Sequence, residues 1–533
     1  MPSLDDRSDR HVVIDARPEH YCCFPDVLLA DNGGLLCIYN EFDQHASTRR
    51  KTLLRASRDL GASWGEALVL NCLRGCHCPR LARLPGGELL ALDDGSLYRS
   101  LDHGRTWAVQ PRTGMQHNIS SRPVALGGEA LLLTAHAHRG EAAFPGLRHS
   151  PTEQMVYRSD NLGFAWRPFS VAAFERRLAL CEGAVTRLAD GRLLMLLREN
   201  TLVYEPMYAV LSRDDGRTWS EPRPTPLIGH RPTLGTTADG RLLVTYRDVG
   251  PDPGSAAWLG DLDELLHDQA VHGLAPDPGN PVLTPEGLRV ANPAGPDAAV
   301  RYALRPLTDA SRARAALRAE VRVDAAEERA CAIRFGGVWV RLFPDRLELD
   351  PPAPTEAEAG TGAPRPLRRS WTPEVFHAVE LFYEPGRVVL RVDGRRRAAL
   401  DVDPDDPAVR PVLFGNADPR ERNGGDHTWR ALRLEIDEPG PGRRGVWAWT
   451  PADGPPDAWK QARVLELKNA RAVAHWGHFG YSGWAELPDG RFFCAFHHAD
   501  PEPPGADPQA TKSHVRGAWF EADDFLLQHR EQP

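Results

Sequence analysis

A short cysteine- and histidine-rich stretch is the first place where this sequence could do chemistry. It contains Cys72, Cys76, His77 and Cys78. Thiolates and imidazoles are ligands of zinc, but structural zinc sites pair two knuckles of C-x₂-C type. This stretch has neither that spacing nor a second half elsewhere in the chain. The sequence therefore predicts no metal site, and we expect no cofactor.

Histidines form a second set of side chains with chemical potential. They are His230, His475, His478, His497 and His498. Because histidine titrates near neutral pH, each of them could line a ligand subsite or act as an acid–base group. Scattered histidines are more often structural, so the sequence leaves both roles open.

Four similar turns indicate how the chain positions such groups. SRDLGASW, SLDHGRTW, SDNLGFAW and SRDDGRTW occupy residues 57–64, 100–107, 159–166 and 212–219. In a tight hairpin of this kind the Asp carboxylate accepts turn N–H groups, Gly adopts an unusual φ, and Trp fills the space beneath. The repeat therefore predicts a folding device rather than a catalytic one.

A second repeat consists of an apolar strand, a turn and another apolar strand. Six such hairpins begin at Asp26, Arg80, Arg122, Ala184, Thr233 and Gly483. A repeat of about 50 residues in an all-β chain is typical of a β-propeller, whose radial closure leaves few exposed strand edges. We predict an all-β, six-bladed propeller closed by strands from both termini, although the spacing leaves a partial seventh blade open.

The long gap between the last two hairpins predicts an insertion in the fifth blade. From 288 to 438 the turns vanish and alternating strands such as VWVRLFPDRLEL follow one another. We expect an inserted β-sandwich of jelly-roll, lectin-like form, flanked by propeller segments 10–287 and 439–530. Such an insert could contact carbohydrate, act as a lid or serve as a spacer.

Charge and hydropathy exclude several classes of partner. Lys and Arg number 64 against 73 Asp and Glu, a net charge of −9, which repels nucleic acid and anionic membrane. No apolar run is long enough to span a bilayer. The acidic N-terminal residues do not resemble a secretory leader. We therefore expect a cytoplasmic protein that binds neither nucleic acid nor membrane, while its oligomeric state stays open.

The turns, the hairpins and three further segments together resemble the sialidase (neuraminidase) superfamily of glycosidases. CEGAVTRLADGRLLMLLREN (181–200) is similar to the segment in which that family keeps a catalytic Glu and a substrate-binding Arg. FGYSGWAELPDG (479–490) resembles the segment of its tyrosine nucleophile, and TLGTTADGRLLVTYRD ends at the place of a further arginine. The resemblance implies a glycan substrate and a metal-independent, retaining exo-glycosidase.

The resemblance assigns Tyr481 as nucleophile, Glu182 as its partner, and Arg198 and Arg247 as substrate-binding residues. A carboxylate beside the anomeric carbon of the substrate would repel a carboxylate nucleophile, whereas a phenol starts neutral and passes its proton to Glu. Arginine suits such a substrate because its planar fork binds a carboxylate bidentately.

Two positions depart from the family pattern. Cys23 stands where the family has the first arginine of its carboxylate clamp. Arg49, Arg50, Arg80 and Arg231 are the candidates to replace that charge, and His230 lies beside the last of them. For the general acid the loop at 41–50 offers Asp43, our first choice, and His45. The departure at Cys23 leaves an acidic or a neutral sugar open, and a terminal acidic sugar is our first choice.

Two other functions fit the same residues. Propeller polysaccharide lyases and rhamnosidases use His, Tyr and Arg on glycans that contain uronic acids, which would give the histidines the leading role. A non-catalytic glycan-binding propeller is the third alternative, and a sealed central pocket would favour it.

Overall fold

The computed structural model describes residues 1–529 except 45–46, 48, 73–77, 94–95, 112, 120, 140–151, 268–269, 278, 293–298, 329, 351–366, 417–423, 441–443, 474, 502–506 and 508–510. Within these residues the strands form eight antiparallel sheets. Six of them are the blades of a β-propeller, and the other two belong to the segment inserted in the fifth blade. The predicted all-β, six-bladed propeller is confirmed.

The first strand, β1 (His11–Asp15), joins the last blade. The first three blades then follow in chain order. They consist of β2 (Tyr21–Leu29), β3 (Leu35–Phe42), β4 (Arg50–Ser57) and β5 (Leu68–Asn71); of β6 (Arg80–Arg83), β7 (Leu89–Leu92), β8 (Leu97–Ser100) and β9 (Ala108–Gln110); and of β10 (Asn118–Ile119), β11 (Val124–Gly127), β12 (Ala130–His138), β13 (Thr152–Ser159) and β14 (Arg167–Ala173).

The fourth blade contains β15 (Leu180–Arg187), β16 (Leu193–Glu199), β17 (Tyr208–Ser212) and β18 (Arg223–Pro224). The fifth blade begins with β19 (Gly229–Thr236), β20 (Leu242–Asp248) and β21 (Gly254–Gly260). Its fourth strand comes only after residues 261–463, which we call the inserted segment. The interrupted fifth blade agrees with the predicted place of the insertion.

The inserted segment forms two sheets around one apolar core. Their strands are β22 (His272–Leu274), β23 (Val282–Thr284), β24 (Gly287–Asn292), β25 (Arg301–Leu304), β26 (Arg314–Ala326), β27 (Ala332–Phe335), β28 (Val338–Leu342), β29 (Arg346–Asp350), β30 (Leu367–Ser370), β31 (His377–Glu384), β32 (Arg387–Val392), β33 (Arg395–Asp401), β34 (Val412–Gly415), β35 (Gly425–Asp437) and β36 (Arg444–Trp449). The predicted limits 288 and 438 fall inside this strand range, and the division into domains stays a prediction.

After the inserted segment the chain completes the ring. It forms β37 (Val464–Asn469), which pairs with β21, and then β38 (Phe479–Glu486), β39 (Phe492–Ala499) and β40 (Ser513–Phe520). β1 pairs with β40 as the outer strand of the sixth blade, so strands from both ends of the fold close the propeller. The described helices are short: α1 (Leu262–Leu265), α2 (Ala458–Arg463) and 3₁₀ turns at Ser8–Arg10, Pro407–Val409, Pro451–Asp453, Trp476–His478 and Ala522–His529.

Each pair of neighbouring blades buries an apolar core of its own. The four repeated turns join the third and fourth strands of their blades and help to seal these cores. Asp59 accepts the Ser63 N–H at 2.9 Å, and its pKa falls to about 2 through hydrogen bonds from Ser63. Gly61 has a φ of 98°, and a Cβ there would lie 2.7 Å from the Phe493 ring of the adjoining blade. Glycine at this place therefore lets one blade contact the next.

Candidate active site

A backbone kink recurs where the innermost strands approach the propeller axis. In five blades of the described chain, a residue with positive φ lies within or just before the innermost strand. These residues are Phe24 (56°), Cys78 (52°), Glu182 (45°), Arg231 (37°) and Gly480 (84°). Strand pairing shifts register at four of them. Bulges of this kind redirect side chains and occur beside active sites.

The kinks bring Tyr481 of the sixth blade to Glu182 of the fourth. The Tyr481 hydroxyl donates to Glu182 Oε2 at 2.8 Å and lies 3.1 Å from Oε1. Arg198 Nη1 contacts both the carboxylate and the phenol oxygen. Tyr481 is 4 % exposed. The structure thus brings together three residues that the sequence assigns to one site, and their catalytic roles stay predictions.

Three guanidinium groups surround the phenol ring. Their Cζ atoms lie 4.2, 4.8 and 5.9 Å from its centroid for Arg247, Arg231 and Arg198. Gly480 permits this approach, because a Cβ at that residue would lie 2.6 Å from the Arg247 Cβ. We call Tyr481, Glu182, Arg198, Arg231 and Arg247 the axial site. Its three cations face one carboxylate.

Arg231 is the least satisfied member of the axial site. It is 1 % exposed, and its three guanidinium nitrogens have no hydrogen-bond partner among the described residues. A buried charge without hydrogen bonds is costly, and an anion that accepted them would remove the cost. Arg247 instead donates to the backbone carbonyl of Phe479 at 2.5 Å. The axial site is therefore suited to an anionic ligand.

The same charges set the ionisation of the reactive pair. Burial raises the pKa of Tyr481 well above its ordinary value, and the lowering effect of Arg198 does not cancel this. Burial would also raise the pKa of Glu182, but Arg198 and Arg231 outweigh it and hold that pKa well below the usual range. Burial lowers the pKa of Arg247 to about 10. At neutral pH a neutral phenol thus donates to an ionised carboxylate.

Residues of neighbouring blades hold this pair in place. Thr134 donates to the carbonyl of Gly183 at 2.6 Å, and Gln154 accepts the Gly183 N–H at 3.1 Å. His497 lies with Nδ1 3.4 Å from the Tyr481 carbonyl, and its ring stands edge-on to the tyrosine at 6.1 Å. The peptide after Glu182 and the backbone of Tyr481 are therefore fixed by buried groups.

The first blade contributes an apolar wall where the family pattern has an arginine. Cys23, Phe24, Phe42 and Cys78 form one buried cluster with Tyr21 and Tyr481. The Phe24 ring centroid lies 5.2 Å from that of Tyr481. Of the four candidates to replace the missing charge, only Arg231 stacks on Tyr481. Arg50 lies over Phe42, Arg49 is exposed, and Arg80 binds elsewhere on the axis.

The remaining predicted residues lie at different distances from this centre. Asp43 is about half exposed, with Oδ2 4.0 Å from Arg49 Nε, and none of its described contacts is with the axial site. His45 lies outside the described residues. His230 is buried, with its ring perpendicular to Trp476 at 5.8 Å. The proposed general acid is therefore not brought to Tyr481 by any contact in the structure.

Sequence reasoning missed Asn200, Phe24 and Trp476. Asn200 accepts from Arg198 Nη2, and Trp476 stacks under Arg247 at 5.4 Å. Asn200 and Trp476 lie within a few residues of assigned site residues. The signal that could have found Phe24 is the X-Pro step that it shares with Cys78 and Arg231, because all three are kinked residues followed by proline.

The metal and membrane predictions concern other parts of the chain. Cys76 and His77 lie outside the described residues, and the described part of the chain contains no group of three His, Cys, Asp or Glu placed to hold a metal ion. No helix in the described residues is long and apolar enough to cross a membrane. The cytoplasmic location stays a prediction.

A second charged cluster lies next to the axial site. Asp26 accepts from Arg122 Nε at 3.1 Å and from the Leu81 N–H at 2.9 Å, and Arg80 Nη1 lies 3.6 Å from its carboxylate. Arg80 also donates to Thr233 Oγ1 at 3.2 Å. We call Asp26, Arg80 and Arg122 the axial anchor, since it links the first three blades to the fifth.

One family model matches part of the propeller. Residues 85–251 match the family model described as a BNR repeat-like domain. This match agrees with the repeated turns and hairpins of the sequence and with the six-bladed propeller. A search of curated proteins finds no match.

Several solved structures are similar to this chain at low sequence identity. A protein of unknown function from Dyadobacter fermentans is 17 % identical over 56 % of this chain and 94 % of its own, with a TM-score of 0.42. The α-L-arabinanase of Penicillium chrysogenum is 17 % identical over 49 % and 84 %, with a TM-score of 0.37. The sialidase of Trypanosoma rangeli is 13 % identical over 81 % and 83 %, with a TM-score of 0.33. With TM-scores this low, we base no assignment of activity on these likenesses.

Proposed function

We propose that the axial site hydrolyses a terminal acidic sugar from a glycan, as a retaining, metal-independent exo-glycosidase of sialidase type. One observation carries the proposal: the Tyr481 hydroxyl donates to Glu182 at 2.8 Å inside a ring of three arginines that one carboxylate does not balance. The phenol–carboxylate pair supports nucleophilic catalysis, and the excess positive charge supports an anionic substrate.

In this mechanism Tyr481 attacks the anomeric carbon while Glu182 takes the phenol proton. The bond to the leaving-group oxygen breaks, and a general acid supplies the proton for that oxygen. Water then attacks the anomeric carbon of the glycosyl-tyrosine from the face that the leaving group vacated, and the deprotonated general acid takes the proton of that water. The bond to the Tyr481 oxygen breaks, and Glu182 returns its proton to the phenol oxygen. Two inversions at one carbon give retention of configuration.

Substrate binding also adjusts the base. In the free protein Arg198 contacts the Glu182 carboxylate and the phenol oxygen together, so Glu182 is a weak base. A substrate carboxylate that draws on Arg198, Arg231 and Arg247 would neutralise part of this charge. The pKa of Glu182 then rises toward its ordinary value, and the carboxylate becomes a better proton acceptor when the substrate is in place.

The apolar wall bears on the kind of sugar. Phe24, Cys23 and Cys78 form the side of the cluster that faces the first two blades. We propose that Arg231 carries the charge that Cys23 lacks, so the acid group of the substrate binds toward the fourth and fifth blades. Asp43, or His45, remains our candidate for the general acid, and His230 remains a candidate binding residue at the edge of the site.

The two sheets of the inserted segment support our proposal that it is a jelly-roll, lectin-like domain. They face each other across a single core that includes Leu317, Ile333 and Trp429. The sequence predicts propeller segments 10–287 and 439–530 with the insert at 288–438. Because the two sheets also include β22, β23 and β36, which lie outside those limits, we propose 261–463 as the extent of the insert.

An activity screen tests the proposed function. The purified protein is incubated with 4-methylumbelliferyl glycosides of sialic acids, 2-keto-3-deoxy sugars, uronic acids and rhamnose. We expect release of fluorophore from at least one acidic glycoside, without added metal and in the presence of chelator. Activity on rhamnose alone, or an unsaturated product from a uronate polymer, would favour the rhamnosidase or lyase alternative. No turnover at all would favour the binding propeller.

A further inference from the structure

Two arginines of the axial site, Arg198 and Arg247, lie near the end of the second strand of their blades, and each is followed by a buried carboxylate. Glu199 follows Arg198 in β16, and Asp248 follows Arg247 in β20. Both carboxylates are 2 % exposed. Successive residues of a strand point to opposite faces, so each carboxylate lies behind its arginine. Whatever holds the carboxylate therefore fixes the backbone that presents the arginine to Tyr481.

In the fourth blade the inserted segment reaches the loop that follows Glu199. Glu199 accepts the N–H groups of Ala179 and Thr201, each at 3.0 Å. Burial and the neighbouring Glu205 raise the pKa of Glu199, whereas Arg410 lowers it. Arg410 Nη2 in turn donates to Glu205 at 2.7 Å. One guanidinium of the inserted segment therefore pairs with a buried acid in the loop that follows Arg198 and Glu199.

Further contacts seal this interface. Thr308, also of the inserted segment, donates to the other oxygen of Glu205 at 2.7 Å, and Tyr208 donates to it at 2.6 Å. The Glu205 side chain is fully buried. Buried ionic groups are strongly destabilising when one partner is removed. The loop between β16 and β17 is thus locked to the inserted segment.

In the fifth blade the arrangement is repeated with other residues. Lys460 Nζ lies 2.7 Å from Asp248 Oδ2, and both side chains are almost completely buried. Asp248 also accepts the Gly250 N–H at 2.8 Å. Lys460 belongs to α2, the helix that leads from the inserted sheets back to β37. One cation of the inserted segment therefore pairs with a residue of β20, and another pairs with the loop that follows β16.

We infer that the inserted segment positions Arg198 and Arg247, with Arg410 and Lys460 as positioning residues. This inference rests on the proposed function of the axial site, but it does not require the insert to contact the substrate. It also gives a reason for the place of the insertion: a chain that leaves and re-enters the fifth blade runs behind the ends of β16 and β20.

The test replaces each ion pair by a neutral, hydrogen-bonding pair of similar size. The variants are Glu205→Gln/Arg410→Gln and Asp248→Asn/Lys460→Gln. Asp405→Asn is the control for the first, since Asp405 pairs with Arg177 across the same interface at 3.0 Å. Arg463→Gln is the control for the second, because it removes an exposed ion pair with Glu264 from the same helix.

Hydrogen exchange read by mass spectrometry needs no substrate. We expect amide exchange in 193–199 to quicken by about tenfold or more in the first neutral pair, and that in 242–248 in the second, because local opening becomes easier. The controls should leave both strands unchanged. On whichever glycoside the screen identifies, kcat/KM should fall roughly 100-fold in each neutral pair, as misplaced binding groups do, and less than about threefold in the controls.

Exchange unchanged in both neutral pairs, or changed equally by the controls, would overturn the inference whether or not any glycoside is hydrolysed. Failure of the screen alone would remove the proposed function and leave the exchange result standing. If a neutral pair does not fold, Arg410→Lys and Lys460→Arg keep the charge and test the geometry. We expect a smaller increase in exchange at the same strand, and none there would contradict the positioning role.

Discussion

Two arginine-rich clusters lie next to each other on the propeller axis, and they use their charges differently. In the axial anchor the carboxylate of Asp26 is fully buried and accepts hydrogen bonds from Arg122 and from the Leu81 N–H. In the axial site Glu182 keeps 13 % of its side chain exposed, and the Arg231 guanidinium has no hydrogen-bond partner among the described residues. Similar residue types therefore build a structural tie in one cluster and leave binding capacity in the other.

The two clusters contain similar residue types and differ in how completely their buried charges are hydrogen-bonded. Removing one partner of a buried, hydrogen-bonded ion pair destabilises the fold. A buried charge without hydrogen bonds is itself unfavourable, and the rest of the fold must offset its free-energy cost. Five blades contribute a kinked residue near the axis, so the ring itself supplies the geometry for both clusters. An arginine on this axis is informative about function only when its partners are known.

The largest effect is expected at the nucleophile. Tyr481→Phe removes the oxygen that would bond to the anomeric carbon and leaves the ring contacts with Phe24 and the arginines. We expect kcat to fall roughly 10³-fold or more while binding of the substrate changes little, since the lost oxygen acts in the chemical step. Steady-state kinetics on the active glycoside measure this, and an unchanged melting temperature shows that the fold is intact. A fully active variant would remove Tyr481 from the mechanism.

The two buried arginines of the neighbouring clusters provide a matched comparison of stability. Arg80→Met removes a partner of Asp26 and of Thr233, and we expect a loss of about 3 kcal/mol in the free energy of unfolding. Arg231→Met removes a guanidinium without described hydrogen bonds, so its stability should stay within about 1 kcal/mol of the wild type. Urea unfolding followed by tryptophan fluorescence gives both values. Equal losses would contradict the distinction between anchor and site.

Arg231 should matter for binding instead. Arg231→Gln removes a charge that we assign to the acid group of the substrate, and we expect KM to rise about tenfold with a smaller change in kcat, as for loss of one charge-assisted hydrogen bond. A neutral glycoside of the same leaving group, if it is turned over, serves as the internal control. An unchanged KM for the acidic substrate would show that Arg231 does not supply the positive charge that is missing at Cys23.

A small pH effect on stability is expected at the carboxylate of the axial anchor. Burial would raise the pKa of Asp26, but Arg122 and Arg80 lower it below its ordinary value. A lowered pKa in the folded state means that the carboxylate stabilises the fold above its unfolded pKa of about 3.9, and that this contribution is lost as pH falls through the folded value. The stability difference between wild type and Asp26→Asn should be constant from pH 8 to 5 and shrink below about pH 4. If the stability difference between wild type and Asp26→Asn increased as the pH was lowered, the pKa of Asp26 would be raised in the folded state rather than lowered.

The sequence predicted the repeating parts of the fold because their causes are local. The six hairpins follow from alternating apolar residues around Gly turns, and Asp59 and Gly61 show how one repeated turn both closes itself and contacts the next blade. The pairing of Tyr481 with Glu182 came from resemblance to a family and not from spacing, since 299 residues separate them. Residue-level periodicity carries no information on such a contact.

The site residues that the sequence could not identify are brought together only when the propeller ring closes. Arg231 could be named only as one of several arginines, because its approach to Tyr481 at 4.8 Å requires the kinks of two neighbouring blades. Arg410 and Lys460 gave no sequence signal, since their partners Glu205 and Asp248 belong to the fourth and fifth blades, far earlier in the chain. The general acid is still a prediction, because the Asp43 side chain is about half exposed and none of its contacts among the described residues is with the axial site.

The stereochemistry of the first-formed product tests the central claim most directly. Hydrolysis of the best acidic glycoside is followed by ¹H NMR from the first minutes, before mutarotation equilibrates the anomers. A glycosyl-tyrosine intermediate on Tyr481 predicts that the released sugar first appears with the anomeric configuration of the substrate. First appearance of the opposite anomer would show direct attack by water and would contradict the role of the Tyr481–Glu182 pair as nucleophile and base.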